Sequence, residues 1–191
     1  MKLIDRIKKP SIVGLNFMGD TWDSAVKPEW RYEIFRKIFN FQSQSKYIIL
    51  TKQPQNIKSS DIINESFYGY INPDNLWVGV SIEIIDHMDR WVALSQKEYI
   101  RHKIISFEPA LDIHPVTDII KLFEKYSYPD WIIIGSLTKS DKNEMLKSRI
   151  SAGVMIELLK DAGIKIPIFV KDNCGIKNAP KEFPIGMSNE Q

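Results

Sequence analysis

Short apolar runs that end in a polar or charged residue alternate along this chain with longer stretches in which apolar side chains return every three or four positions. The clearest run is Ile104-Ile105-Ser106-Phe107, which stops at Glu108-Pro109. Its β-branched and aromatic character predicts a strand buried on both faces, and Pro109, which has no N–H for a ladder, ends the pairing. The same arrangement recurs at residues 11–18 before Gly19-Asp20, 47–50 before Thr51-Lys52, and 76–82 before Glu83. It recurs again at residues 131–134 before Gly135-Ser136 and 167–170 before Lys171-Asp172.

Helical spacing fills the intervals. From Pro28 to Phe41, apolar residues fall at Trp30, Ile34, Phe35, Ile38, Phe39 and Phe41, with lysine and arginine between them. A weaker helix is predicted over 57–67, and firmer ones over 86–99, 116–126 and 151–162. In the last of these, Val154, Met155, Leu158 and Leu159 are expected to point inward, and Gly163 is a natural stop. The aromatics Trp30, Phe35, Phe39 and Trp91 share apolar faces and read as core. Residues 138–148 are mostly polar and read as an exposed loop, or as a lid over the site described below.

Strands separated by helical units of roughly 25 to 35 residues suit parallel βαβ crossovers, so the fold class is α/β with a six-stranded parallel sheet. An open doubly wound sheet and a curved, incomplete (β/α) barrel both satisfy the pattern. The sequence has no G-x-G-x-x-G after its first strand and no P-loop, which leans toward the partial barrel.

With 191 residues, 43% of them hydrophobic, the chain suits one domain, expected over residues 1–174, with an irregular tail over 175–191. The 26 basic and 24 acidic residues nearly cancel, leaving none of the concentrated positive charge of a dedicated nucleic-acid binder. A single cysteine, Cys174, excludes an internal disulfide framework and points to a reducing, cytoplasmic setting. No apolar stretch approaches the length needed to span a bilayer, so no membrane role is expected.

In parallel α/β folds the carboxyl ends of the strands are where chemistry is assembled. Here those ends supply Asp20, Lys52, Glu108 and Lys171 as candidate catalytic groups, and Ser81, Glu83, Gly135, Ser136 and Asp172 as candidate cofactor contacts. A structural lysine–glutamate network closing the mouth of the sheet is the alternative explanation of the same residues. His87, His102 and His114 show no paired spacing, so no metal site is expected. Cys174, with no well-placed histidine, reads as an ordinary thiol.

Taken together, several strand-end segments resemble a known family. Phe17-Met18-Gly19-Asp20-Thr21-Trp22, Ile49-Leu50-Thr51-Lys52-Gln53-Pro54, Leu76-Trp77-Val78-Gly79-Val80-Ser81, Ser106-Phe107-Glu108-Pro109-Ala110-Leu111, Trp131-Ile132-Ile133-Ile134-Gly135 and Phe169-Val170-Lys171-Asp172-Asn173 look like the serial motifs of phage-associated, radical-SAM-like proteins with a three-cysteine motif. The likeness runs from about residue 10 to residue 174, in order. It implies a partial (β/α) barrel, TIM-barrel-like and radical-SAM-like, in which three cysteines on the first strand and loop hold a [4Fe–4S] cluster. This sequence has no cysteine before Cys174, so no iron–sulfur cluster is expected from this chain alone.

The resemblance implies S-adenosylmethionine as cofactor, surrounded by a rim that includes Asp20, Lys52, Ser81, Glu108 and Lys171. Lys52 or Lys171 would neutralise its carboxylate, Glu108 or Glu83 would hold its amine or ribose, and Asp20 would orient substrate. One expectation is therefore the distal part of a split or truncated radical-SAM-like protein, active when a partner polypeptide supplies the cluster. The partner would pair at the exposed edge strand Ile12–Met18, where self-association is the alternative. The second expectation is a non-catalytic module that keeps the rim for small-molecule or protein binding. A cluster-independent enzyme using Glu108 with Lys52 or Lys171 as acid and base ranks below both, because no nucleophile accompanies them.

Overall fold

All six predicted strands form, and they lie side by side in chain order, every neighbouring pair parallel. In this computed structural model the described residues are 7, 9–15, 19–40, 45–62 and 74–187. The strands are β1 (Ile12–Leu15), β2 (Lys46–Thr51), β3 (Leu76–Ser81), β4 (His102–Phe107), β5 (Trp131–Ile134) and β6 (Ile168–Val170). The end of the first predicted strand, residues 16–18, lies outside the described residues. The sheet curls into a half-barrel.

Helices α1 (Pro28–Asn40), α2 (Ser59–Ile62), α3 (Asp89–Ser95), α4 (Val116–Lys125) and α5 (Lys142–Asp161) supply the connections. Of the weak helix predicted over 57–67, only residues up to 62 are described. The helix predicted over 86–99 is a 3-10 turn, Ile85–Met88, leading into the shorter α3. Residues 138–148 are not a loop as expected. Asp141 caps α5 by accepting from the N–H groups of Asn143 and Glu144, so the polar segment forms the solvated first turns of a 20-residue helix. Ser148 anchors these turns, donating to the Ala110 carbonyl at 2.8 Å and accepting from the Leu137 N–H at 3.0 Å.

Strand alternation sends side chains into two separate cores. The larger one joins Ile49, Val80, Ile105, Phe107 and Ile134 to helix residues such as Phe35, Trp91, Phe123 and Met155. Trp91 and Phe123, both fully buried, meet edge to face with ring centres 5.9 Å apart. The smaller core lies on the helix-free face and comprises Ile48, Trp77, Ile104, Trp131, Ile133 and Met187, with Leu50 and Phe169 against it. Trp30, expected in the core, is 58% exposed with the Lys27 ammonium near its ring, because Phe35 and Ile38 occupy the inward face of α1. Leu158 is likewise turned outward, since Ala152, Met155, Ile156 and Leu159 form the buried side of α5.

Residues after β6 are irregular but ordered against it. Val170 donates to the Pro180 carbonyl, Glu182 donates to the Ile168 carbonyl, and the Trp131 indole donates to the Glu182 carbonyl at 3.0 Å. This segment lies along the outer edge of β6. Among the described residues, β1 pairs with β2 alone, so the sheet ends at β1 on the other side. No helix among the described residues is long and apolar enough to cross a membrane.

At the entrance to β4, His102 stacks on Trp77 with ring centres 4.3 Å apart, and burial lowers its pKa below the ordinary histidine value. The unfolded chain therefore takes up a proton near pH 6.5 that the folded chain resists. Stability is expected to decline as pH falls below that value, and His102→Phe should flatten this part of the pH profile in urea denaturation.

Candidate functional site

Asp20 lies between β1 and α1, and its carboxylate accepts from the Trp22 N–H at 2.9 Å, the Thr51 hydroxyl at 2.7 Å and the Lys52 N–H at 2.7 Å. Both oxygens are engaged, and they tie the turn at residues 20–22 to the end of β2. Lys52 then extends from the tip of β2 with its side chain 58% exposed, and its ammonium pairs with Oε1 of Glu83 beyond β3.

Glu83 is the centre of the larger charge cluster. Its side chain is only 11% exposed, and besides Lys52 it bonds Arg90 Nη1 at 2.7 Å and His87 Nδ1 at 2.8 Å, both through Oε2. Arg90 also donates to the Ser81 carbonyl at 2.6 Å, which locks the guanidinium under the end of β3. Burial works to raise the Glu83 pKa, but the hydrogen bonds from Lys52 and Arg90, the Lys52 charge and the His87 contact outweigh it, and the carboxyl lies below its usual range.

The second cluster spans three strands. Glu108, past the end of β4, reaches across β5 to Lys171, past the end of β6, with Nζ to carboxylate distances of 2.5 and 2.6 Å. It crosses at Gly135. A Cβ on that residue would sit 2.8 Å from Glu108 Oε1 and 3.0 Å from Cδ and Cγ, so the glycine leaves the bed in which the carboxylate lies. Gly135→Ala is expected to turn Glu108 away from Lys171 while changing the unfolding free energy by less than about 1 kcal/mol, since only a flexible side-chain tip must move. Thermal denaturation of the variant, with a crystal structure showing the Glu108 position, checks both halves.

The two clusters are neighbours, because the Leu111 N–H donates to the Glu83 carbonyl and the Ala110 N–H to the Gly135 carbonyl. Between them, one residue pair down from the rim, Ser81 and Ser106 stand opposite each other across β3 and β4. Ser106 is fully buried, and its hydroxyl makes no hydrogen bond among the described residues.

The structure thus brings Lys52 to Glu83 and Glu108 to Lys171 at one rim, with Asp20, Ser81 and Gly135 beside them. Ser136 and Asp172 have other partners. The Ser136 hydroxyl donates to the Asn173 carbonyl at 2.7 Å, and the Asn173 amide donates back to the Ser136 carbonyl at 2.7 Å. The Asp172 side chain is 98% exposed and pairs with Lys181 at 2.6 Å. Cys174 is buried beneath this junction, and burial pushes its thiol pKa up.

Sequence reasoning missed His87 and Arg90. Their signal is the spacing from Glu83, four and seven residues on, which brings all three to one side of a helical turn.

The fold and rim define a parallel α/β half-barrel with two carboxylate–cation clusters at the carboxyl ends of its strands. The chain belongs to the family described as Protein of unknown function (DUF5131), whose match covers residues 1–152. No curated protein and no solved structure matches it.

Proposed function

We propose that the carboxyl rim binds S-adenosylmethionine or a small molecule of the same zwitterionic kind. In this reading the protein supplies the rim for radical-SAM-like chemistry, and another polypeptide holds the iron–sulfur cluster. The observation that carries the reading is the placement of two partly exposed lysines, Lys52 and Lys171, each paired with a carboxylate at the same mouth. A zwitterion can exchange with such pairs, its carboxylate taking a lysine and its ammonium taking the glutamate released. The unpaired Ser106 hydroxyl adds support, since an unsatisfied buried hydroxyl costs about 1–3 kcal/mol that a ligand group reaching it would recover.

The donor set of this chain does not fit a [4Fe–4S] cluster. Such a cluster takes several thiolates, and the one cysteine is buried. Among the described residues, no group of three or more His, Cys, Asp or Glu is arranged to hold a metal ion. No reaction step is therefore derived through a cluster on these residues. A partner segment carrying one would pair along β1, where the described sheet ends.

That buried cysteine favours a second reading, a binding module that uses the rim without radical chemistry. Calorimetry of the chain with S-adenosylmethionine tests what the two readings share. Binding is expected, weakened about 10-fold or more by Lys52→Ala and by Lys171→Ala. Absence of heat at about 1 mM ligand, or variants that bind as well as the parent, would overturn the assignment of the site. Anaerobic reconstitution with iron and sulfide separates the readings: a cluster formed only with an added partner supports the first, and ligand binding that never depends on a cluster supports the second.

A further inference from the structure

The longest helix carries an apolar face that is exposed among the described residues. Along α5, Leu146 and Ile150 are each 57% exposed and Leu158 is 37% exposed, with the half-buried Val154 between them. Their spacing of four places them on one ridge of the helix. Single exposed apolar residues are ordinary on protein surfaces, but three on one ridge with the half-buried Val154 among them form a series.

The ridge also reads alike in both directions. About the midpoint between Ile150 and Val154, Leu146 mirrors Leu158, and the flanking Lys147 mirrors Glu157. We propose that α5 pairs antiparallel with α5 of a second copy of this chain, through Leu146, Ile150, Val154 and Leu158. Turning one helix end for end about that midpoint brings Leu146 level with Leu158 of the other copy and Lys147 level with its Glu157, twice by symmetry. A parallel pairing would instead set Lys147 against Lys147 and Glu157 against Glu157, which like-charge repulsion disfavours. Ridges of spacing four interdigitate at a crossing angle of about −50°, the commonest class of helix packing. One face of a helix about 30 Å long is small for a stable interface, so the dimer is weak and depends on concentration. The inference uses no residue of the rim and stands apart from the ligand reading.

Sedimentation equilibrium of the full chain from about 10 µM to about 500 µM tests it, with circular dichroism confirming that each variant is folded. A monomer–dimer equilibrium is expected, and Ile150→Glu should weaken it by about 10-fold or more. Lys147→Glu should weaken it, and the double variant Lys147→Glu, Glu157→Lys should restore it, which keeps the test intact if Ile150→Glu fails to fold. A monomer at every concentration overturns the proposal. So does a dimer that neither Ile150→Glu nor Lys147→Glu alone weakens, because association would then run through another surface.

Discussion

Gly79→Ala should lower the unfolding free energy by about 3 kcal/mol, among the largest effects expected of any single methyl group in this protein. Gly79 lies in β3 on the face away from the helices, between Leu50 of β2 and Ile104 of β4. A Cβ there would approach Leu50 Cδ2 to 2.6 Å, Ile104 Cβ to 2.8 Å and the Ile104 carbonyl oxygen to 2.9 Å. Leu50 can change rotamer, but the Ile104 atoms belong to the backbone and root of a hydrogen-bonded strand and move only if the ladder moves. For a chain of this length the loss corresponds to a fall in melting temperature of about 6–12 °C. Chemical denaturation of the variant measures it directly, and a change under about 0.5 kcal/mol would mean that the two side chains above Gly79 pack less tightly than described. The contrast with Gly135→Ala is informative, because there the obstacle is the free end of a glutamate.

Glu83→Ala is expected to cost about 3 kcal/mol, since it leaves Arg90 mostly buried without its carboxylate. The removed group is a single anion shared by two permanent cations, so its loss leaves Lys52 and Arg90 as like charges across the end of β3 and takes the partner from His87 Nδ1. The pH dependence follows from the depressed carboxyl pKa. A folded-state value below the unfolded one means that Glu83 contributes stability at pH above about 4.5, and that this contribution disappears as pH falls through the folded-state value. In Glu83→Gln the profile below about pH 4.5 should be flatter than in the parent. Denaturant titrations at a series of pH values measure the difference, and parallel profiles for the two proteins would contradict the role given to this carboxylate. The effect occupies a more acidic window than that of His102, so the two variants report separately.

The sheet was legible because its strands are buried on both faces and therefore written as nearly unbroken apolar runs. β5 is Trp131-Ile132-Ile133-Ile134 and could be little else. Charged residues at the strand tips were legible for the same reason, and four of them, Lys52, Glu83, Glu108 and Lys171, do meet in pairs. The failures concern surfaces. Trp30 reads as inward in the sequence because apolar spacing does not say which of two adjoining stripes meets the sheet, and Phe35 and Ile38 take that place. The start of α5 was hidden because a solvated first turn resembles a loop, although Asp141 followed by Glu144 at the third helical position was a capping signal open to reading. Arg90 and His87 escaped because their importance lies in what they hold, and the companion of a buried glutamate is not marked in the sequence until the turn that follows it is known. Gly135 stands out in the sequence as a strand-end glycine, but only the path of the Glu108 side chain explains why no Cβ belongs there.

Strand order that repeats chain order has a consequence for synthesis on the ribosome. Each strand, as it emerges with the helix before it, finds its neighbour already made, so the nascent domain can grow by successive addition without waiting for distant sequence. Residues 180–182, which border β6, leave the ribosome after it and hydrogen-bond along the last-formed flank. An arrest peptide placed downstream of β4 should therefore register folding force before β5 and β6 have been translated.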